Sequence, residues 1–281
     1  MIKHPAILTL GLLLAAIPGT RAGSPDTRNS GSACNHPHTG VTATAIHDTP
    51  PGTLDAHPGH DRAHTPEPFR TWRAGEKVSA GDVAEYGIDR CFASSEIDDA
   101  LFGRIYGKSY KAECTVPRSE LRYLRVLHRN TAGDILLGEL VCNEAISGDL
   151  LEIFRTLYDA AYPIERMVLI DEYDAQDGPS MRDNNSSAFN FRFIAGTTKL
   201  SNHSLGMAVD INPLYNPCVR MRDGRRVVDP AEAAPYADRT RDFPYKIDGG
   251  DLCCREFIRH GFTWGGHWKS LKDYQHFEKA K

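Results

Sequence analysis

The segment from Thr198 to Pro213 reads TKLSNHSLGMAVDINP and contains the pattern that decides the fold. Between positions 207 and 212, apolar side chains alternate with small or polar ones, which is the two-residue period of a β-strand. On that strand Asp210 points away from the core and into a cleft. His203 lies seven positions earlier, and the flexible backbone of Gly206 lets the chain turn so that His203 and Asp210 converge.

A second segment near the C-terminus carries polar side chains in a related pattern. It reads WGGHW at positions 264–268 and DYQHFE at positions 273–278. On a strand that begins near Tyr274, the side chains of His276 and Glu278 share one face. Asp273 precedes His276 by three positions, so strict alternation would point the two side chains apart. Asp273 must therefore lie in the turn before the strand if both residues serve one site.

These residue types suit a metal site. Two imidazoles and one carboxylate, here His203, His276 and Asp210, are ligands that zinc uses when it keeps its fourth position open for water. A neighbouring carboxylate can then accept a proton from the attacking water, and Asp273 is the candidate for that base. Each residue also has a simpler interpretation, since an Asp before a turn is often a cap and a strand His is often hydrogen-bonded within the core.

The pattern resembles a known enzyme family. Ser201-x-His203-x-x-Gly206-x-Ala208-x-Asp210, followed far downstream by Asp273-x-x-His276, is similar to the zinc peptidases that comprise D-alanyl-D-alanine carboxypeptidases and endolysin L-alanyl-D-glutamate endopeptidases, metallopeptidase family 15. The resemblance is to the secreted bacterial branch and covers roughly positions 97–278. It extends through the residues 184–192, NNSSAFNFR, and through 210–213 and 216–217.

The resemblance implies roles for individual residues. His203, Asp210 and His276 would bind one Zn²⁺ ion, and Asp273 would be the general base. Arg192 matches an arginine with which the family binds and polarises substrate, although a surface ion pair is the simpler interpretation.

Five further residues belong to the predicted site or its margin. Ser201 would position substrate, orient His203 or simply form the turn, and Glu278 is either the partner of a ligand histidine or an exposed acid. Trp264, with Trp268, suits a wall of the substrate cleft or the core, and His267 is expected at the rim.

The resemblance also implies a fold and a function. The fold would be α+β and Hedgehog/D-Ala-D-Ala-peptidase-like, with a central, mainly antiparallel sheet and flanking helices. The activity would be zinc-dependent hydrolysis of an amide bond in peptidoglycan stem peptides, by a carboxypeptidase or an endopeptidase. The alternatives are a non-catalytic, Hedgehog-like zinc-containing module that binds the cell wall, and a structural cell-wall protein whose metal only holds the fold.

The remaining sequence independently favours the α+β class, because its strands come in hairpins and its helices do not alternate regularly with them. A capping pattern at Ser95 and Asp98 predicts a helix with its apolar face at positions 97, 101, 102 and 105. Strands are predicted at 121–128, 134–142, 167–170, 262–264 and 274–278, and further helices at about 148–161 and 251–260.

The N-terminus reads as an export signal followed by a linker. Residues 1–22 place Lys3 before a 12-residue apolar run and end in small residues, as signal peptides do. The run is too short to span a hydrocarbon core of about 30 Å, which disfavours the alternative of an uncleaved anchor. Residues 23–67 are predicted to be a disordered His- and Pro-rich linker, and 68–281 the peptidase domain. A secreted, periplasmic or cell-wall location follows.

Composition and charge exclude several classes of partner. Hydrophobic residues make up 41% and charged residues 25% of the chain, as in soluble globular proteins. The formal net charge is -4, and loss of Lys3 and Arg21 with the signal would make it -6. Nucleic-acid binding, which requires a basic excess, is not expected. Stable membrane insertion after signal removal is not expected either, since no other long apolar run occurs. The oligomeric state is left open.

Cysteines and histidines add two expectations. Seven cysteines fit an exported protein with disulfides, and the odd count leaves one without a partner, with Cys34 the first candidate. A disulfide from Cys218 to Cys253 or Cys254 is one hypothesis among 15 pairings of the other six. The linker carries six of the twelve histidines, and either collects metal or is simply solvated.

Overall fold

A computed structural model describes residues 65–194 and 196–280. The predicted signal peptide at residues 1–22, residues 23–64 of the predicted linker with its six histidines, and Cys34 lie outside the described residues. Within them, the first helix begins at Glu67, one residue before the predicted start of the domain.

The main sheet is built around a long β-hairpin. Its four strands are antiparallel, in the order β1-β4-β3-β2. The hairpin turn is closed by the Asn130 side chain, whose Oδ1 accepts hydrogen bonds from the backbone N–H groups of Ala132 and Asp134, both at 3.0 Å. The sequence predicted this hairpin, and it is confirmed. The strands are β1 (Lys77–Val78), β2 (Ala93–Glu96), β3 (Leu121–Arg129) and β4 (Ile135–Asn143).

Helix α4 (Glu144–Asp159) covers the hairpin. Asn143 caps it, because its Oδ1 accepts from the N–H of Ala145 at 3.0 Å. The helix therefore begins four residues before the predicted start at Gly148. Its apolar face is buried as predicted, with Leu150 and Ile153 among the fully buried residues. Burial of such side chains stabilises the fold by about 1.5–3 kcal/mol each.

The predicted start of the helix near Asp98 is corrected by the structure. Ser95 does not cap a helix, because it lies in β2 opposite Tyr123 of β3. Asp98 caps the helix instead, accepting from the N–H of Leu101 at 2.8 Å, so that α3 spans Asp99–Ile105. This helix is preceded by α1 (Glu67–Thr71) and α2 (Ala80–Tyr86).

The segment Met167–Ile170 is buried as predicted, but it is not a strand. The side chain of Asn185 occupies the place of a strand partner. Its Oδ1 accepts from the N–H of Val168 at 2.9 Å, and its Nδ2 donates to the carbonyl of Val168 at 3.0 Å. Both backbone groups of Val168 are therefore satisfied without a strand ladder.

Two small antiparallel sheets carry the C-terminal half. One has the order β5-β10-β8 and the other β7-β6-β9. The predicted strand at 274–278 is interrupted, because residues 274 and 275 form a bend between β9 and β10. The elements are α5 (Asp177–Arg182), β5 (Ala208–Asp210), β6 (Cys218–Arg222), β7 (Arg225–Asp229), α6 (Leu252–Arg259), β8 (Thr263–Trp264), β9 (Leu271–Asp273) and β10 (His276–Glu278).

The principal core lies between α4, α6 and the sheets. Phe257 of α6 stacks on Phe277 of β10, with ring centroids 4.2 Å apart, and meets Phe154 of α4 edge-on. Val209 and Ile211 are fully buried in the same core. Helices thus pack on antiparallel sheets, and the α+β class predicted from the sequence is confirmed.

The expected disulfides are not formed in the described part of the chain. All six cysteines there are free, namely Cys91, Cys114, Cys142, Cys218, Cys253 and Cys254. The hypothesis that joined Cys218 to Cys253 or Cys254 is therefore wrong for this structure. Cys253 and Cys254 lie in the core beside α4, whereas Cys218 pairs with Asp229 and Asp273 in the β7-β6-β9 sheet. Among the described residues, none of the helices has the length and apolarity to cross a bilayer.

Candidate metal centre and substrate cavity

His203 lies in a buried 3₁₀ turn, Asn202–Leu205, directly before β5. Ser201 caps the turn, since its Oγ accepts from the N–H of His203 at 3.3 Å. Gly206 closes the turn with a φ of +67°, and a Cβ there would lie 2.6 Å from the backbone nitrogen of Asn143. The ring donates from Nδ1 to the carbonyl of Ala188 at 2.6 Å, so Nε2 is left as an acceptor.

Asp210 and His276 face each other across the β5–β10 pair, where their Cα atoms are in register. Asp210 Oδ1 lies 3.0 Å from His276 Nδ1, and Asp210 Oδ2 lies 3.2 Å from His203 Nε2. The two imidazole nitrogens are 3.1 Å apart. The three predicted ligands, which are separated by up to 73 positions, therefore meet at one point.

Glu278 fixes the orientation of the His276 ring. Its Oε2 lies 3.0 Å from His276 Nε2 and accepts from Asn202 Nδ2 at 2.6 Å. Because a carboxylate accepts, Nε2 of His276 carries a proton. When the ring is neutral, Nδ1 therefore turns its lone pair toward Asp210 and His203. The sequence left open whether Glu278 is the partner of a ligand histidine or an exposed acid, and in the structure it is the partner of His276. Asn202 was missed, because its contact joins two distant segments.

The donor set fits a metal ion. When both imidazoles are neutral and donate their own N–H elsewhere, two imidazole nitrogens and the two oxygens of Asp210 converge with no donor between them, an arrangement that favours binding of a cation. The two nitrogens are 3.1 Å apart, and each lies 3.0 or 3.2 Å from a different oxygen of Asp210. These distances are close to the roughly 3.3 Å expected between ligands of a tetrahedral ion with bonds of about 2.0–2.1 Å. His203, Asp210 and His276 form a group able to hold a metal among the described residues.

The charges of the site agree with this interpretation. Burial by itself would raise the pKa of Asp210, but the interactions with His203 and His276 outweigh it and hold that pKa well below its ordinary value. Burial likewise opposes a charge on His276, yet the hydrogen bonds to Asp210 and Glu278 raise its pKa to about 10. A proton on His276 therefore balances the carboxylates without a metal, and a metal ion has to displace it.

Asp273 ends β9, one bend away from His276 on β10. Asp273 thus lies outside the strand of His276, as the sequence analysis required if both residues serve one site. It lies at the end of a preceding strand, however, and not in a simple turn. Its Oδ1 is buried and has no hydrogen-bond partner within residues 65–194 and 196–280. Burial raises the pKa of Asp273 to about 6, and the charge of Asp210 adds to that rise. The carboxyl group is therefore poised to exchange a proton near neutral pH.

One open cavity of about 500 Å³ is lined by the three candidate metal ligands and by Asp273. Arg192 and Ser201 line it as well. Ser204 Oγ forms two hydrogen bonds with the backbone of Arg192. It accepts from the N–H of Arg192 at 2.8 Å and donates to the carbonyl of Arg192 at 2.6 Å. The Arg192 guanidinium forms an ion pair with Asp177, Nε to Oδ2 at 2.5 Å. Arg192 is thus both ion-paired and directed to the cavity.

The aromatic residues of the predicted site divide into two groups. Trp264 does not line the cavity, which corrects its predicted place in the cleft wall. It is 5% exposed within the core, and its Nε1 donates to the carbonyl of Tyr274 at 2.9 Å. Trp268 does line the cavity, and His267 lies outside it, exposed and edge-on to Trp264. A Trp beside glycines fits either place, so only packing distinguishes them.

The cavity also contains residues that the sequence did not indicate. Asp177 comes from α5, while Arg220 and Asp229 come from the β6–β7 hairpin. Cys218 and Arg220 are two positions apart and therefore share one face of β6, which the sequence could have indicated. This face could not be placed at the site, however, because the register of β6 against β9 joins residues about fifty positions apart.

An α+β fold with a buried His-Asp-His group that could hold a metal ion, in an open cavity beside a second carboxyl group, is an arrangement that metal-dependent hydrolases use. The comparison with protein families makes the class specific: residues 195–279 match the family described as D-alanyl-D-alanine carboxypeptidase. This match confirms the family predicted from the sequence over residues 195–279. Comparison with curated proteins and with solved structures gives no match.

Proposed function

We propose that this protein is a zinc-dependent peptidase that hydrolyses an amide bond in the stem peptides of bacterial peptidoglycan, as a D-Ala-D-Ala carboxypeptidase or an L-Ala-D-Glu endopeptidase. One observation carries the proposal. Acceptor atoms of His203, Asp210 and His276 converge in a cavity that also holds a carboxyl oxygen of Asp273 with no hydrogen-bond partner among the described residues.

His203 Nε2, Asp210 and His276 Nδ1 would hold one zinc ion. Zinc supplies Lewis-acid polarisation of the scissile carbonyl and acidifies water at neutral pH. The chain keeps both imidazoles in the ligand tautomer through Ala188 and Glu278. Such partners of ligand histidines typically raise metal affinity by 10- to 100-fold.

Asp273 accepts the proton of the attacking water and returns it to the departing amine. Its raised pKa of about 6 suits both steps, because a general base works best with a pKa near the operating pH. Arg192, held by Asp177 and by Ser204, stabilises the negative charge that develops on the carbonyl oxygen. Ser201 orders the turn that presents His203.

The substrate and location follow from the same proposal. The matched family is described by its action on D-Ala-D-Ala, a linkage of peptidoglycan stem peptides, which lie outside the cytosol. The signal-like residues 1–22 and the linker 23–67 would deliver the domain 68–281 to that place as a secreted, periplasmic or cell-wall-associated enzyme.

The test is hydrolysis of purified muropeptides with added zinc, followed by mass spectrometry. We expect wild-type hydrolysis and, for Asp273→Asn, a loss of about 10²- to 10⁴-fold with zinc content unchanged. His203→Ala should lose the metal itself. Asp223→Asn is the matched control, because Asp223 is exposed at the tip of the β6–β7 hairpin. Full activity in Asp273→Asn would exclude Asp273 as the general base. A zinc-loaded wild type that cleaves nothing would favour the alternative of a non-catalytic zinc-containing module that binds the cell wall.

A further inference from the structure

One face of the β7-β6-β9 sheet forms a wall of the cavity. Strand register places Asp229, Cys218 and Asp273 side by side in one row, and Arg220 beside Leu271 in the row two residues further along. All five residues line the cavity. Cys218 and Arg220 point to the same side of β6, because side chains alternate along a strand. The step between the rows is about 6.6 Å, which an arginine side chain can span.

Arg220 is a cation without an ion-pair partner among the described residues. It is half-buried, and its guanidinium makes no ion pair or hydrogen bond with any residue in the described part of the chain. Arg192 differs, because its charge is already paired with Asp177. Lys199 also lines the cavity without a charged partner among those residues, but it lies on the segment that carries Arg192 rather than on the face of Asp273. A half-buried, unpaired guanidinium favours binding of an anion.

Asp273 identifies the side of the cavity from which the product amine departs. The proton that Asp273 gives up goes to the amine nitrogen, so this nitrogen passes within about 2.6–3.2 Å of the carboxyl group. When the departing group is a single C-terminal residue, its carboxylate carbon is separated from the nitrogen only by Cα. That carboxylate must then lie next to Asp273, where a cation is needed to offset the repulsion between the two acids.

We propose that Arg220 binds the free α-carboxylate of the departing C-terminal residue and so makes the enzyme a carboxypeptidase rather than an endopeptidase. This inference rests on the proposed function. In an endopeptidase the chain continues beyond the departing nitrogen, and Arg220 would have no anion to bind there. Arg220 is thus a specificity-determining residue, and the chemistry it recognises is a terminal carboxylate, held bidentately by the planar guanidinium.

The test compares a peptide that ends in D-Ala-D-Ala with the same peptide carrying a C-terminal amide. Wild type should cleave the free acid about 10- to 100-fold faster, by kcat/KM, than the amide. Arg220→Gln should lose that advantage by slowing cleavage of the acid alone, and Arg220→Lys should retain part of it. Arg222→Gln is the matched control, because Arg222 is an exposed arginine of the same strand and should keep the wild-type ratio.

The outcomes separate the two proposals. Equal cleavage of acid and amide by wild type, or an unchanged ratio in Arg220→Gln, overturns the role of Arg220 and leaves the peptidase intact. Wild type that cleaves neither peptide nor any muropeptide overturns the proposed function, and this inference with it. The wild-type ratio does not depend on any variant, so it decides the question even if Arg220→Gln folds poorly.

Discussion

Gly265 lies directly against Asp273. A Cβ added at Gly265 would be 2.5 Å from the carbonyl oxygen of Asp273 and 2.9 Å from its Cβ. Such distances are too short for any side chain, so glycine is needed for the 3₁₀ turn Gly265–His267 to pack on β9. The position of the proposed base therefore depends on a residue that carries no chemistry of its own.

Replacement of Gly265 by Ala should displace Asp273 while leaving the metal ligands in place. We expect kcat to fall at least about tenfold, because a misplacement of about 1 Å can cost up to about 100-fold, with zinc content unchanged. Steady-state kinetics and metal analysis measure the two effects. Gly148→Ala is the control, since nothing lies within 4 Å of the added Cβ in α4. Unchanged kcat in Gly265→Ala would show that the contact does not position the base.

Glu278→Gln tests the partner of the His276 ring. The amide can no longer attract the imidazole N–H as a charged acceptor, so the ligand tautomer of His276 is less favoured. Zinc affinity should fall about 10- to 100-fold, measured by competition with a chelator of known affinity. Glu85→Gln removes an exposed carboxylate from α2 and should bind zinc like wild type. Equal affinity in the two variants would exclude Glu278 from the metal centre.

His128 should make the fold sensitive to acid. It is buried, its Nδ1 donates to the carbonyl of Ile164 at 2.8 Å, and burial lowers its pKa from 6.5 to about 4. Between these two values the unfolded chain binds a proton that the folded protein excludes. This contribution to stability is therefore complete above pH 6.5 and is lost as the pH falls toward 4.

The prediction concerns urea unfolding of metal-free protein. Between about pH 7.5 and about pH 5, the free energy of unfolding of wild type should fall by about 2 kcal/mol more than that of His128→Gln. The exposed His267 provides the comparison, since His267→Gln should keep the wild-type pH dependence. Parallel pH profiles for wild type and His128→Gln would contradict the prediction.

Elements whose determinants are local were predictable from the sequence. The hairpin of β3 and β4 is specified by two apolar runs and the turn-forming Asn130, and the buried face of α4 by helical spacing. Errors arose where distant residues compete with local preference. Ser95 has the chemistry of a cap but pairs with Tyr123 in a strand, and the Asn185 side chain takes the place of a neighbouring strand at Val168.

The candidate site divides in the same way. The motif around His203 and Asp210 and the pair Asp273 and His276 were identified from residue type and spacing, because metal and proton-transfer chemistry restricts which side chains can serve. Arg192 was identified through the resemblance to the peptidase family. The convergence of the three candidate metal ligands within 3.0–3.2 Å, the core position of Trp264 and the unpaired guanidinium of Arg220 were decided by the tertiary structure alone. Each depends on strand register between segments far apart in the chain, and register is set by packing of the whole core rather than by any local run of residues.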